Sequence, residues 1–510
     1  MQTLPRFFSE RSWLLRAVLV LIFALGLGIR LFDLTDLPLD FSSTRQLHSA
    51  INARGMYYQY AEGVPDWQRQ MAYQQWKQRA TIEPPVMETL VAHTYRLFGE
   101  HLWIARIYSS LFWIIGGIAL YLLARELIST EGALFAALFY LFLPYGIIAS
   151  RSFQPDPLMT SLIVLGVWSL FRWHRTSQWR WVVLAGILNG LALFVKNVAV
   201  FPVAGALAGV FLGCRGFRKS LKDPQVWVIL VMTALPVAIY TIYGVFISGF
   251  LGRQFGFRFF PEMWLEPAFY LRWNDRINGV VGDGAFLLAL IGMFLAQAKT
   301  QRPVLFGLWV GYFAFGLTFP YHFSTHAYYQ LPLIPIVSLS LAPMAQLVSR
   351  RLLELNPSFL IRSTLAGILV VAVAVSLWNV RVTLVREDYR SEVAYWAALG
   401  DKLGHGPDVV ALSHDYGLRL AYWGWQDTAG LFTIGDIRLR ELAGRDVDPI
   451  ERFQEDIQGK RYLLVTLFGE LEKQPRLKEY IYQHYPIYDQ GDGYIIFDLQ
   501  HPLETPTPSK

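Results

Sequence analysis

Long apolar segments recur through the first three quarters of this chain, and they constrain its fold more than any other feature. A bilayer core of ~30 Å is crossed by about 20 apolar residues in helical form, and about eleven windows of that kind are present. The pattern predicts a mainly α, polytopic membrane protein with spans near residues 13–32, 103–124, 131–149, 157–172, 179–195, 197–214, 226–248, 279–297, 304–319, 328–346 and 361–381.

Composition supports a membrane protein and argues against a nucleic-acid partner. Of the 510 residues, 54% are hydrophobic and 16% are charged, and the mean hydropathy of +0.33 is too high for a soluble chain of this length. The net charge of +6 comes from basic residues in short loops between the apolar windows, which membrane topology explains. The single Cys214 excludes an intramolecular disulfide.

Lysine and arginine mark one side of the membrane. The leader and the segments "RWHRTSQWR", "RGFRKSLKD" and "AQAKTQRP" are basic, which predicts that they face the cytoplasm. The first window is too long for a cleaved signal peptide, so we expect an anchor with a cytoplasmic N-terminus in the inner (plasma) membrane. The extracytoplasmic side then holds residues 35–101, "SRSFQPDP", the turn at 195–198, residues 249–278 and "PYHFSTHAYY".

The chain is expected to form two domains. A transmembrane catalytic domain covers 1–385, with a first outer loop at about 35–101, and a soluble extracytoplasmic α/β domain covers 386–510. The runs "DVVALS", "RYLLVTLF" and "GYIIFDL" predict strands in the second domain, and "DPIERFQEDI" predicts a helix. Within the first outer loop, 44–60 and 66–79 have the spacing of amphipathic helices, which we expect in the membrane interface.

Several polar residues are predicted at the outer ends of the spans, where burying a polar group near lipid is costly. Asp40 follows the first span, and Asp156 stands between two prolines shortly after Arg151. Each aspartate fits either a helix cap or a polar cavity. Lys196 ends a span on the side that disfavours lysine, and an anion explains it better than snorkelling does.

The stretch "FPYHFSTHAYYQLPLIP" adds two histidines and two tyrosines at the same depth: His322, His326, Tyr328 and Tyr329. Its prolines favour an irregular, re-entrant backbone. Interfacial anchoring is the alternative reading, and no zinc spacing such as HExxH is present. Together these residues predict a site for a phosphate-bearing lipid, with cations holding the phosphate and a carboxylate acting as base or metal ligand.

In order and spacing, these motifs resemble the GT-C glycosyltransferases that use polyprenyl-phosphate sugars, the superfamily of protein O-mannosyltransferases and lipid A aminoarabinose transferases (glycosyltransferase family 39-like). The likeness covers roughly residues 10–350. It is carried by "PLDFSSTRQL", "TIEPPVMETLVAHTYRLFGEHLWIARIYSSLFW", "SRSFQPDPLMTSL", "GLALFVKNVAVFPV" and "HAYYQLPLIP".

The resemblance implies a membrane GT-C fold and assigns roles to the polar residues. Asp40 would be the catalytic base, or lie near it, and would deprotonate or orient an acceptor hydroxyl, with inversion at the sugar. Asp156 would support the acceptor or a divalent ion. The donor phosphate would lie among the cations and the late aromatic motif. Its expected surroundings are Arg106, Arg151, Lys196, His322, His326, Tyr328 and Tyr329.

Two positions depart from the family pattern. Phe41 follows Asp40 where many relatives carry a second acidic residue. Glu83 stands before Pro84 and Pro85 where aminoarabinose transferases have lysine, so this position fits a metal, an amino sugar or an acceptor instead. Asp40, Asp156 and Glu83 are the candidate ligands if a divalent ion such as Mg, Mn or Zn takes part.

The leading prediction is a cell-envelope glycosyltransferase that moves a hexosyl or pentosyl group from a polyprenyl-phosphate carrier to a lipid, protein or polysaccharide acceptor. A lipid-linked-sugar flippase is the alternative, although transporters keep ionisable groups near mid-span rather than at the outer ends. A scaffold with a partner-binding outer domain is a third reading. In the tail, Trp423 and Trp425 fit either a folded core or stacking on sugar rings.

Overall fold

The computed structural model describes residues 12–79, 83–251, 259–297, 299–355, 358–445 and 448–503, and these are mostly helical. The helices are α1 Ser12–Leu31, α2 Ser43–Tyr58, α3 Asp66–Gln78, α4 Val86–Phe98, α5 Trp103–Leu127, α6 Thr130–Phe142, α7 Pro144–Ala149, α8 Asp156–Thr176, α9 Trp179–Val195, α10 Val200–Ala208, α11 Phe217–Lys222, α12 Pro224–Ile242, α13 Pro267–Val280, α14 Asp283–Leu295, α15 Arg302–Thr318, α16 Pro320–Thr325, α17 Leu333–Leu355, α18 Phe359–Arg386, α19 Glu392–Leu403, α20 Leu418–Trp423, α21 Ile434–Leu442, α22 Pro449–Asp456, α23 Phe468–Glu472 and α24 Pro475–His484. The strands are β1 Val409–Leu412, β2 Thr428–Gly430, β3 Tyr462–Val465, β4 Ile487–Gly491 and β5 Tyr494–Asp498.

The chain divides into two compact units, and the first contains the described residues of 12–35, 83–86 and 103–387. Its helices pack side by side: α8 lies against α9 and α10 against α15 as antiparallel pairs, whereas α9 and α12 run parallel. Among the described residues, 6 helical segments are long and apolar enough to cross a membrane, or up to 7 if α13 and α14, bent by 92°, form one broken span. A helix lies in every predicted window, while the count of about eleven spans stays a prediction.

Small residues bring α10 and α15 of this unit into backbone contact. Gly205 in α10 and Gly209 directly after its last residue are four positions apart, and so are Gly307 and Gly311 in α15. A Cβ on Gly205 would collide with the carbonyl oxygen of Gly307, and the reverse is also true. Two such motifs facing each other allow the close backbone approach that stabilises helix pairs in lipid.

The second unit contains the described residues of 36–79, 87–102 and 388–503. Its sheet has the strand order β2-β1-β3-β5-β4; β1 runs parallel to β2 and β3, and β5 runs antiparallel to β3 and β4. Strands β1, β3 and β5 lie in the three runs predicted from the sequence. Their apolar side chains are buried in one core with those of the covering helices, including Val410, Leu463, Phe453, Leu477 and Phe497.

The first-loop helices belong to this second unit. α2 and α3 coincide with the two predicted stretches, and α2 packs against α3 and against α20 from the tail. Buried Arg54 of α2 donates to Glu100 at 2.7 Å and to the carbonyl of Tyr422, whose ring lies 3.5 Å below the guanidinium carbon. Burial lowers the pKa of Arg54, but the negative charge and hydrogen bond of Glu100, together with the nearby hydroxyls of Tyr422 and Tyr58, outweigh it, so the pKa is raised. The helices of the first outer loop therefore pack directly against the tail within this unit.

Candidate functional site

The best-defined polar contact of the first unit joins Asp156 and Lys196. Helix α8 begins at Asp156, and Pro157 is its second residue. Proline is tolerated in the first turn because the amides there have no partner within the helix. Lys196 follows the last residue of α9 in an extended conformation. Since α8 and α9 are antiparallel neighbours, these positions fall at the same end of the bundle. The Nζ atom of Lys196 lies 2.9 Å from both Oδ1 and Oδ2 of Asp156.

This ion pair is almost fully shielded from solvent. The side chains of Lys196 and Asp156 are 5% and 2% exposed, respectively. Removing two charges from water costs several kcal/mol per ion, which their attraction offsets only in good geometry. A bidentate charge-assisted contact supplies that geometry. Because a well-packed apolar pair would be at least as stable, the charges indicate a functional role rather than a structural one.

Two tyrosines cover the lysine. The chain between α16 and α17 makes a 3-10 turn at Ala327–Gln330, because the surrounding prolines withhold the amides that a continuous helix needs. This turn places the ring centroids of Tyr328 and Tyr329 5.0 and 5.5 Å from Nζ of Lys196. Both distances are within the range of cation–π attraction, which adds to the electrostatic hold on the ammonium.

The histidines extend the same group of side chains. The ring of His326 lies 5.5 Å from that of Tyr328, and the ring of His322 stacks on His326 at 5.7 Å. Nδ1 of His326 is 2.8 Å from Oγ1 of Thr325. The structure thus brings together six of the predicted residues, which we call the Lys196 cluster: Asp156, Lys196, His322, His326, Tyr328 and Tyr329.

Two further residues of this unit are near the cluster and were not identified from the sequence. Tyr145 of α7 lies within electrostatic reach of Asp156 and Tyr328, and also of Arg276 on α13. Helix α13 packs against α16 and against the 3-10 turn that carries the tyrosines. The available signal was a tyrosine directly after Pro144 and an arginine in the charged "WNDRIN" stretch of a segment predicted to lie on the outer side.

The other predicted cations and Glu83 lie in different surroundings. Arg151 donates from Nη1 and Nη2 to the carbonyls of Phe32 and Asp33, both at 2.8 Å, and so holds the end of α1. Arg106 is buried on α5. Glu83 lies within electrostatic reach of Tyr240 of α12. Arg151 therefore stabilises the chain at the end of α1, in addition to any contact it makes with the sugar donor.

Asp40 belongs to the second unit. Its half-buried carboxylate accepts a hydrogen bond from Nε2 of Gln46 at 3.3 Å, and the same amide donates to the carbonyl of Phe41 at 2.6 Å. Ser42 has a left-handed φ of 44°, so the backbone turns sharply between Asp40 and the first residue of α2. Gln46 is one turn into α2 and thus braces the aspartate from the helix that follows it.

Comparison with known proteins agrees with this architecture. Residues 82–243 match a family described as dolichyl-phosphate-mannose-protein mannosyltransferase, and no curated protein matches the chain in sequence. ArnT from Cupriavidus metallidurans, solved with undecaprenyl phosphate, is 15% identical, with a TM-score of 0.56 over 94% of this chain and 98% of that chain. AglB from Archaeoglobus fulgidus, solved with an inhibitory peptide and a dolichol-phosphate, is 13% identical, with a TM-score of 0.55 over 97% of this chain and 77% of that chain.

The fold is that of the GT-C glycosyltransferases. This fold and the 6 or 7 long apolar helices among the described residues indicate a multi-pass membrane protein. The family match ends at residue 243 and so includes Asp156 and Lys196 but not the histidines and tyrosines of the cluster.

The suggested metal ligands do not form a metal site within the described ranges. Both oxygens of Asp156 accept from Lys196, and no group of three or more His, Cys, Asp or Glu side chains placed for a metal occurs among the residues that the structure describes. An oligosaccharyltransferase structure from Archaeoglobus fulgidus, 13% identical with a TM-score of 0.53, is a complex with Zn and sulfate. For the present chain we derive no step through a metal ion.

Proposed function

We propose that this GT-C protein transfers a sugar from a polyprenyl-phosphate carrier to an acceptor hydroxyl on the extracytoplasmic face of the membrane. The observation that carries the proposal is the Lys196 cluster, a buried cation ringed by tyrosines and histidines on a fold shared with ArnT and AglB. Polar side chains of this kind inside a membrane bundle are retained where a charged substrate is handled.

The chemistry needs a base and a stabilised leaving group. Asp40 takes the proton of the acceptor hydroxyl as its oxygen attacks the anomeric carbon from the side opposite the phosphate. The bond between that carbon and the phosphate oxygen breaks, and the polyprenyl phosphate leaves with the electron pair as an anion. One displacement of this kind inverts the anomeric configuration.

The Lys196 cluster serves the leaving phosphate in this proposal. Lysine carries three N–H donors, of which two are directed at Asp156, so a phosphate oxygen is a natural third partner. Asp156 fixes the ammonium in place before the donor arrives, which is the preorganisation that makes electrostatic stabilisation effective. His322, His326 and the two tyrosines supply further donors for the phosphate or for sugar hydroxyls.

Transfer from a radiolabelled polyprenyl-phosphate sugar in membranes tests the proposal, with hexosyl and pentosyl donors assayed in parallel. We expect Asp40→Asn to lose about 10²- to 10⁴-fold in rate, the usual contribution of a general base. Asp489→Asn is the matched control, because it removes an aspartate of the same unit whose partner is Lys402. The anomeric configuration of the product, read by NMR, tests inversion.

Two results would contradict the proposal. Undiminished transfer by Asp40→Asn would remove Asp40 from the mechanism. Movement of intact lipid-linked sugar across wild-type membranes, with no transfer to any acceptor, would instead favour a flippase.

A further inference from the structure

The segment that carries Asp40 is tied to the tail of the same unit by a chain of hydrogen bonds. Oδ1 of Asp415 accepts from the hydroxyls of Ser43 and Thr44 at 2.6 and 2.8 Å. These two residues open α2, and Gln46 on the next turn donates to the carboxylate of Asp40. The path from Asp415 to Asp40 therefore runs through one helical turn.

Asp415 is itself held rigidly. Its Oδ2 accepts from Nε of Arg419 at 2.7 Å, so both carboxylate oxygens are engaged. Asp415 and Tyr416 have left-handed backbones, each with φ of 55°, in the short turn between β1 and α20. Successive non-glycine residues in this region are costly and persist only where the surroundings impose them, and they cluster at functional sites.

A second contact holds the beginning of the same segment. Asp36 lies four residues before Asp40, and its Oδ1 accepts a hydrogen bond from the backbone amide of Tyr389 at 3.1 Å. Segment 36–46 is thus fixed at both ends by residues from beyond position 387, which belong to the tail. Such anchoring is expected where a side chain must be placed within a fraction of an ångström.

We propose that Asp415 is a positioning residue, which sets the orientation of the Asp40 carboxylate through Ser43, Thr44 and Gln46. This inference rests on the proposed function and assigns the tail a part in the reaction. Asp415 does not touch substrate; it fixes the helix start that braces the base. Its loss therefore lowers the turnover number and leaves donor binding unchanged.

The cleanest test removes the two hydroxyls and leaves the strained turn and the Asp415–Arg419 pair intact. We expect Ser43→Ala combined with Thr44→Val to lower kcat roughly 10- to 100-fold, the effect of a small misplacement of a catalytic group, with an unchanged KM for the donor. Asp415→Ala should lower kcat by a similar factor. Adding it to the double variant should not lower kcat further, because both changes remove the same hydrogen bonds. Asp415→Asn keeps an acceptor oxygen and should recover part of the rate.

Hydrogen exchange of segment 36–46, measured on the full-length protein in nanodiscs, gives a readout independent of activity. Exchange should accelerate in the Ser43→Ala, Thr44→Val variant and stay at the wild-type rate in Asp489→Ala, whose lost partner is Lys402.

The inference is overturned if the Ser43→Ala, Thr44→Val variant keeps the kcat and the exchange rate of the wild type. It is also overturned if adding Asp415→Ala to that variant lowers kcat further, or if Asp489→Ala accelerates exchange of segment 36–46 to the same extent. If the wild-type protein transfers no sugar, the proposed function fails, and the exchange data alone decide whether Asp415 anchors the segment.

Discussion

A buried lysine has little freedom to move when its ammonium contacts both oxygens of a carboxylate and lies beside two aromatic rings. Lys196 is in that position, and its neighbours come from α8, α9 and the 3-10 turn before α17. The residue-level conclusion is that Asp156 and Lys196 act as one unit. Replacing either alone changes the charge of the site as well as its contacts.

We expect Lys196→Met to abolish sugar transfer and to destabilise the protein by about 3–5 kcal/mol, because it leaves the Asp156 carboxylate buried without its counter-charge. Thermal unfolding in detergent measures the second effect. The double variant Asp156→Asn, Lys196→Met should regain most of the stability and none of the activity. Recovery of transfer in the double variant would show that the pair is structural only.

Arg350→Met is the matched control for this measurement. It breaks an ion pair with Glu354 that is exposed to solvent, with side chains 49% and 31% exposed. Exposed pairs of this kind contribute about 0–1 kcal/mol, so its unfolding temperature should stay close to that of the wild type.

At the level of single residues, the sequence identified both Asp156 and Lys196 but not their contact. A lysine on the predicted outer side conflicts with the positive-inside rule, and that conflict can be recognised from the sequence alone. The partner is 40 residues away on another helix, so only packing reveals it. Asp415 was not identified, because an aspartate in a polar turn has the same local pattern as a solvated one.

At the level of secondary-structure elements, the close packing of α10 against α15 depends on glycine. We expect Gly205→Leu to destabilise the protein by about 1–3 kcal/mol or more, because the new side chain meets the backbone of Gly307, which cannot move aside. Gly367→Leu on α18 is the control, since a Cβ there meets nothing within 4 Å. Equal thermal stability of the two variants would contradict the close crossing.

In the second unit, Arg54 joins α2 to the tail. We expect Arg54→Ala to destabilise this unit by up to about 3 kcal/mol, because Glu100, whose side chain is 14% exposed, loses its cation and the ring contact with Tyr422 is lost. Limited proteolysis between α2 and α3 should then be faster. Arg452→Ala, which removes pairs within α22 only, should leave the proteolysis rate within about twofold of the wild type.

Elements were more predictable than their partners. Helix positions in the apolar windows followed from hydropathy, and β1, β3 and β5 followed from short apolar runs. β2 and β4 were not predicted, because Thr428–Gly430 and Ile487–Gly491 lack a continuous apolar pattern. The glycines at the contact of α10 and α15 form two GxxxG motifs that can be seen in the sequence. Their spacing alone does not predict which helix each motif contacts.

The whole molecule has a predicted orientation that labelling can test. In a Cys214→Ser background, a membrane-impermeant maleimide added to intact cells should react with Gln458→Cys in the tail and spare Lys219→Cys in a basic loop. Both positions are exposed, so access to solvent does not distinguish them. Labelling of Lys219→Cys without permeabilisation would reverse the orientation and place the tail in the cytoplasm.

The contact between Ser43 and Asp415 has a consequence for how the protein is made. The two residues are 372 positions apart, and at about 5–20 residues per second the ribosome needs roughly 20 to 75 s to supply the second after the first. Until then the early helices lack the surface that completes their core. Maturation of the protein should therefore wait until the tail has been translated, and nascent chains truncated before the tail should be preferred substrates for chaperones and quality-control proteases.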